Sequence, residues 1–314
     1  MPMNDADDTV EAADSPQGVA GASSERLAVA LRQAHTEAAS SLDLRDPVEA
    51  VHCLRKGFKR LRALLRLAAH APAVSDAAGA TRRELAETAR QLAQARDAAA
   101  RDDALDDLVA EGGLSKPVRR AARRAMNRGL KRSSDTAPGR GLDGHRQNLE
   151  TQLRALDEAL PQFGAGVNDE ALIDVLADEY ARARRRGRAI DPQDGESLHE
   201  LRKAVIAQRY QMELASPLWP AFGEVWVGEL QLLRDALGKH QDLVVLQSRL
   251  ESLPSHADED DGPNWRGDLL EAIQTRQATL ARAAQRLHAR LFAETPKAFR
   301  RRLSTYMSAI SEEK

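Results

Sequence analysis

One stretch of the chain, Val51–Ala69, sorts its side chains by chemistry. At 100° per residue, His52, Arg55, Lys56, Lys59 and Arg66 fall within one arc of a helix, with Arg62 at its edge. Leu54, Phe58, Leu61, Leu65 and Ala68 fall on the opposite side. No aspartate or glutamate occurs between Val51 and Ala69. A solvated helix face ordinarily mixes both signs, because pairs of opposite charge one turn apart stabilise it and like charges repel. A face of one sign suits an external polyanion. Cations one turn apart, ~5–6 Å, form a ladder of charge-assisted donors. Arginine forks grip oxyanions bidentately, while lysine acts as a point charge.

Other chemistries fit poorly. A metal site needs further His, Cys or carboxylate ligands at close helical spacing. Neither His52 nor His199 has a His or Cys three or four residues away. No nucleophile-and-base pattern accompanies either histidine, and no Gly-x-x-x-x-Gly-Lys loop occurs. The expectation is a chain without catalytic residues, metal or cofactor. Each histidine is either packed at a seam between helices or donates to a bound anion among arginines, a contact that favours its charged form.

The stretch has an echo 147 residues on. His199-Glu-Leu-Arg202-Lys203, followed by Arg209, repeats His52, Leu54, Arg55, Lys56 and Arg62 in register. A second pair follows at a similar offset: Leu92-Ala-Gln-Ala-Arg-Asp97 aligns with Leu237-Gly238-Lys-His-Gln-Asp242. Two matched segments in matched order argue for internal duplication. With their Leu-Gly-x-x-x-Asp helix, these doubled motifs resemble the CHAD family, the conserved histidine α-helical domain, over roughly residues 21–311. The resemblance implies an all-α fold of two duplicated antiparallel helical-bundle halves. It also implies binding of inorganic polyphosphate along a basic surface, without catalysis. The binding residues would then be His52, Arg55, Lys56, Lys59, Arg62 and Arg66 from one copy, with His199, Arg202, Lys203 and Arg209 from the other. The second copy departs from the pattern. Ile206 stands where Lys59 stands, Glu213 where Arg66 stands, and Gln208 lies on the side that should be apolar. Its ladder is therefore expected to be the weaker one.

The elements that must carry these residues are helices. Hydrophobic content is 42% and aromatic content only 4%, which disfavours a β-rich core. Residues 1–20, acidic and without periodicity, read as a disordered tail. The chain then divides into an N-terminal half, 21–162, and a C-terminal half, 163–314. Helices are expected at about 23–43, 47–70, 76–111, 115–132 and 144–160, the last ending at Pro161. The second half should follow with 168–188, 195–215, 217–250, 264–293 and 297–311. The helix 115–132 is again free of acids. Its Arg119 and Arg123 either extend the anion site or merely balance the acids of 102–111. Arg184 and Arg188 close a basic run at the end of helix 168–188, where cations also favour the helix dipole. Asp97 and Asp242 stand in corresponding places, suited either to orienting a motif His or Arg or to ordinary surface roles. Gly238, which costs ~1 kcal/mol in a helix against alanine, suggests close helix packing.

Net charge is −2 with one cysteine. The average hides segregated faces. The lone Cys53 rules out an internal disulfide and suits a reducing compartment. No apolar run approaches the ~18 residues of a membrane span, and the acidic start is not a secretory signal. The expectation is a cytoplasmic protein without membrane contact, associated with polyphosphate granules. Nucleic acid is the weaker alternative partner, since few aromatics interleave with the bases. A polyphosphate-processing enzyme is weaker still, because no Glu-x-Glu-x-Lys strand is present.

Overall fold

A computed structural model describes residues 22–92, 97–133, 142–165, 167–192, 194–253 and 264–312. They form eleven α-helices and no strand. The first wall of the site is α2 (Pro47–Ala68), which packs beside α1 (Ala22–Ser40). The Asp46 carboxylate accepts a hydrogen bond from the Val48 amide at 2.8 Å and Pro47 holds the first turn, so the helix start is set locally. The apolar side of α2 is sealed: Leu54, Phe58, Leu61 and Leu65 are each 0% exposed. Gly57 lets α1 and α2 approach closely, since a Cβ there would lie 2.8 Å from that of Ala38. Sealing one side leaves the basic arc nowhere to go but outward.

The stretch expected as one helix, 76–111, is two: α3 (Ser75–Gln91) and α4 (Asp97–Ala110). The reason lies in packing. Ala78 and Leu85 of α3 join the main core beside α2, whereas Ala104, Leu105 and Leu108 of α4 join a second apolar cluster. One straight rod could not serve both. The second cluster pairs α4 and α5 (Lys116–Ser133) with residues far along the chain. Leu105, Ala122 and Met126 pack there with Leu246, Trp265 and Ile273.

Helix α6 (Leu142–Gly164) runs straight through Pro161, where the sequence suggested an end. The proline removes one N–H from the ladder, yet Leu160 and Phe163 on either side of it are buried and hold the turn in place. After the break, the Asn168 side chain caps α7 (Asp169–Arg188) by accepting from the Ala171 amide at 2.8 Å. Next come α8 (Gly195–Ala215), α9 (Pro220–Glu251), α10 (Trp265–Leu291) and α11 (Pro296–Glu312). Asp194 caps α8 through both carboxylate oxygens. The two apolar clusters do not divide at residue 162, because each contains helices from both sides of that point.

The helix α8 is central. It packs against α7, α9 and α2, and from Ala204 to Gln208 every residue is buried. That accounts for the departures of the second motif. Ile206, Ala207 and Tyr210 pack against Ala63 of α2, and buried Gln211 donates from Nε2 to the Ala63 carbonyl at 3.1 Å. A lysine at position 206 would be driven into that seam. The acidic tail expected at 1–20, and residues 134–141 and 254–263, lie outside the described residues.

Candidate functional site

Because α2 and α8 are packed side by side, the bases of the two motifs meet. A cavity of about 700 Å³ opens between them. Arg55, Lys59, Arg62 and Arg66 of α2 line one side, and His199, Arg202 and Lys203 of α8 line the other. A smaller, adjoining cavity of about 380 Å³ contains His52, Lys56 and Tyr210 and shares Lys59, Arg202 and Asp242 with the first. Nine of the ten motif residues named from the sequence therefore line one or the other of two adjoining cavities.

Arg209 is the exception. Its guanidinium meets Glu213 at 3.0 Å and lies 5.0 Å from the centre of the Tyr210 ring. Arg60 also approaches Glu213, at 3.8 Å. The acid that replaces a cation at position 213 draws Arg209 out of the ladder.

The two flanking pairs do not extend the cavity. Arg119 pairs with Asp106 and Arg123 with Asp102 at 2.7 Å, so α5 spends these cations on its neighbour α4. Arg184 donates from Nε to the Phe292 carbonyl at 3.0 Å, a structural tie to the end of α10. Arg188 lies near His288, also away from the cavity. From that basic run it is Arg182 and Arg186 that line the cavity. A helix turns 100° per residue, and α7 offers the cavity its 182–186 edge.

Further cations went unnoticed in the sequence: Arg82 and Arg90 of α3 and Arg101 of α4. Nothing in a mixed-charge helix such as α3 marks two of its arginines as special. Only the packing of α3 beside α2 does. Lys and Arg lining the larger cavity number eleven, against two carboxylates, Glu200 and Asp242. The crowding is electrostatically visible. Arg82 is pushed down to about 10 by burial first, then by Arg66 and Arg62, with Glu179 opposing. Arg62 is lowered by burial and by Arg66 and Arg90. The Arg82 Nε is buried without a hydrogen-bond partner, a donor that an incoming anion would satisfy.

One buried carboxylate stabilises the back of the cluster. Glu179 of α7 is 4% exposed. It accepts two hydrogen bonds from Arg66, from Nε at 2.9 Å and Nη2 at 2.7 Å, and lies 3.3 Å from Arg182. This fork ties α2 to α7 across 113 residues. Arg55 is oriented by donating from Nη1 to the Ala89 carbonyl at 2.8 Å. His199 donates from Nδ1 to the Gln241 Oε1 at 3.0 Å. Burial and then Lys203 hold its pKa below the usual histidine range, the Gln241 bond opposing. Gln241, next to the expected Asp242, is the group that orients this histidine. Asp242 itself lines both cavities, while the Asp97 side chain lies outside the described residues. The space over Gly238 is filled by the Arg202 guanidinium of the neighbouring α8, 3.6 Å from where a Cβ would stand. Among the described residues, no group of three or more His, Cys, Asp or Glu could hold a metal ion, and no helix is long and apolar enough to cross a membrane.

A family model described as the CHAD domain matches residues 25–251. Among solved structures, PptA from Streptomyces chartreusis is similar in fold, with a TM-score of 0.57 at 20% identity, covering 87% of this chain and 99% of that one. No curated protein sequence matches.

Proposed function

The chain belongs to the CHAD domain family, and from that premise we propose that it binds inorganic polyphosphate, without processing it, in the cavity between α2 and α8. One observation carries this reading. Two helices far apart in sequence turn their basic arcs into a single space where eleven Lys and Arg face two carboxylates. Like charges held together repel, and a fold that only needed stability would not concentrate them. A linear chain of oxyanions neutralises the whole row at once. Two cavities side by side, sharing Lys59, Arg202 and Asp242, suit an extended ligand better than a compact one.

The family is associated with polyphosphate, and the site chemistry points the same way. Arg55, Arg62, Arg82 and Arg202 supply forked donors, and Lys56, Lys59 and Lys203 supply point charges. His52 and His199 add imidazole donors at either side. No nucleophile or metal-ligand cluster accompanies them among the described residues, so the reading is binding rather than hydrolysis. A cytoplasmic location beside polyphosphate granules would suit this ligand.

The test is titration of the full chain with long-chain polyphosphate, short polyphosphate, duplex DNA and RNA at several salt concentrations. Long polyphosphate should bind most tightly, with affinity falling steeply as salt rises, because several contacts release counterions together. Equal affinity for duplex DNA at matched charge and salt would remove the specificity. Release of orthophosphate in the presence of Mg²⁺ or Mn²⁺, abolished by changing a cavity residue, would overturn the non-enzymatic reading.

A further inference from the structure

The larger cavity contains an acid of a different kind from Glu179. Glu200 follows the motif histidine of α8, at the position occupied by Cys53 in the first motif. Its carboxylate accepts from Arg186 Nη1 and pairs with Lys203 Nζ, so it bridges the end of α7 and the face of α8. All three side chains line the cavity. They are also accessible: Glu200 is 28% exposed, Arg186 39% and Lys203 53%. Glu179, by contrast, is sealed behind Arg66.

We propose that Glu200 is a specificity-determining residue, a built-in counter-ion that closes Arg186 and Lys203 to small free anions and yields them to a linear anion already anchored on α2. This rests on the polyphosphate reading of the same cavity. The physical basis is effective concentration. A tethered carboxylate competes at the millimolar level or above, so orthophosphate or pyrophosphate arriving alone meets cations that are already occupied. A chain held by Lys59 and Arg62 presents its next phosphates as intramolecular competitors too. Partly exposed ion pairs are weak, so such a chain displaces the carboxylate at little cost. Each interior phosphate carries one negative charge and two free oxygens, as the carboxylate does, but successive phosphates of an anchored chain offer several such groups to Arg186 and Lys203 at once, and the exchange favours the chain. Specificity then comes partly from what the site refuses.

The test compares the wild-type full chain with E200Q, E200D, R186Q/K203Q and the triple variant, using long-chain polyphosphate and pyrophosphate as probes. In E200Q, long polyphosphate should bind about two- to fivefold more tightly, the span of a weak exposed pair. Pyrophosphate should gain more than the long chain does, so that the preference for long polyphosphate narrows, and an equal gain for both probes would overturn the specificity role. E200D keeps the charge but shortens its reach, so it should fall between wild type and E200Q, and it serves if E200Q melts early. In the R186Q/K203Q background, removing Glu200 should change nothing, because the carboxylate acts only through those two cations. Unchanged or weaker binding by both E200Q and E200D would overturn the proposal, as would an equal gain in the R186Q/K203Q background, the mark of a general charge effect. If the wild type binds long polyphosphate and the variants do not differ from it, only this proposal falls. If neither the wild type nor E200Q binds, the proposed function falls with it.

Discussion

Single side chains in this protein are set by what neutralises them. His199 has a pKa lowered chiefly by burial and Lys203, and burial also lowers His240 and His288. A histidine whose folded pKa lies below its unfolded value resists protonation in the native state. The unfolded chain then binds more protons as pH falls through about 6.5, and stability is lost there. The ligand-free protein should accordingly melt at progressively lower temperature between pH 7.5 and 5.5, as followed by circular dichroism. Bound phosphate reverses the sign for His199, because a nearby anion favours the charged imidazole. Polyphosphate should bind more tightly as pH drops over the same range, with proton uptake measurable by calorimetry in buffers of different ionisation heat. H199Q should lose that part of the pH dependence. Glu179 calls for a different test. Breaking one side of a buried ion pair leaves a cation stranded, although Arg66, 21% exposed, keeps some water. E179Q should lower stability by about 2–3 kcal/mol, read from denaturant unfolding, and an unchanged midpoint would show that Arg66 finds solvent instead.

At the level of helices, two acid-free basic faces have different fates. On α2 the cations look into the cavity, where nothing on their own helix neutralises them. On α5, Arg119 and Arg123 are consumed by Asp106 and Asp102 of α4. Neutralising Lys59, Arg62 and Arg202 together should therefore weaken polyphosphate binding by well over tenfold, more than ~1.4 kcal/mol. Helicity should be unchanged and the melting temperature unchanged or slightly raised, since repulsion is relieved. Neutralising Arg119 and Arg123 should leave the affinity where it was and cost a little stability, as partly exposed pairs do. A large loss of binding in the second variant would return α5 to the site.

Across the whole molecule, the cavity exists only because α2 and α8 are held together, and the hold is distributed. The seam of Ala63 with Ile206, Ala207 and Tyr210 and the Gln211 bond to the Ala63 carbonyl join α2 to α8 directly, and the Arg66–Glu179 fork ties α2 to α7, which packs beside α8. The second cluster likewise mixes Leu105 and Met126 with Leu246 and Trp265. A fragment of residues 21–162 would strand the apolar side of α4 and α5 in water. It should show little cooperative unfolding and bind polyphosphate far more weakly than the full chain, partly because joined sites raise effective concentration. Mixing it with 163–314 should restore some structure, checked by thermal melting and amide dispersion in NMR. A fragment that melts cooperatively and binds undiminished would show the halves to be independent.

The helices and the leucine-rich side of α2 were legible in the sequence because each depends on local spacing: a 3.6-residue period and, for α2, a proline in the first turn. Nine of the ten motif residues, those that line the two cavities, stand out in the sequence for the same reason, with their doubling as the pointer. What the sequence left open was everything decided by which helix lies beside which. Helix 76–111 breaks in two because its ends join different cores. The Arg209–Glu213 pair, one turn apart on α8, is the local exception, and its spacing is visible in the sequence. Arg119 and Arg123 are spent on α4, while Arg82, Arg90, Arg101, Arg182 and Arg186, unremarkable along the chain, are brought to the cavity by α3, α4 and α7. Periodicity fixes which side of a helix faces away from its core. Only long-range packing, which carries no local signature, decides what that side meets.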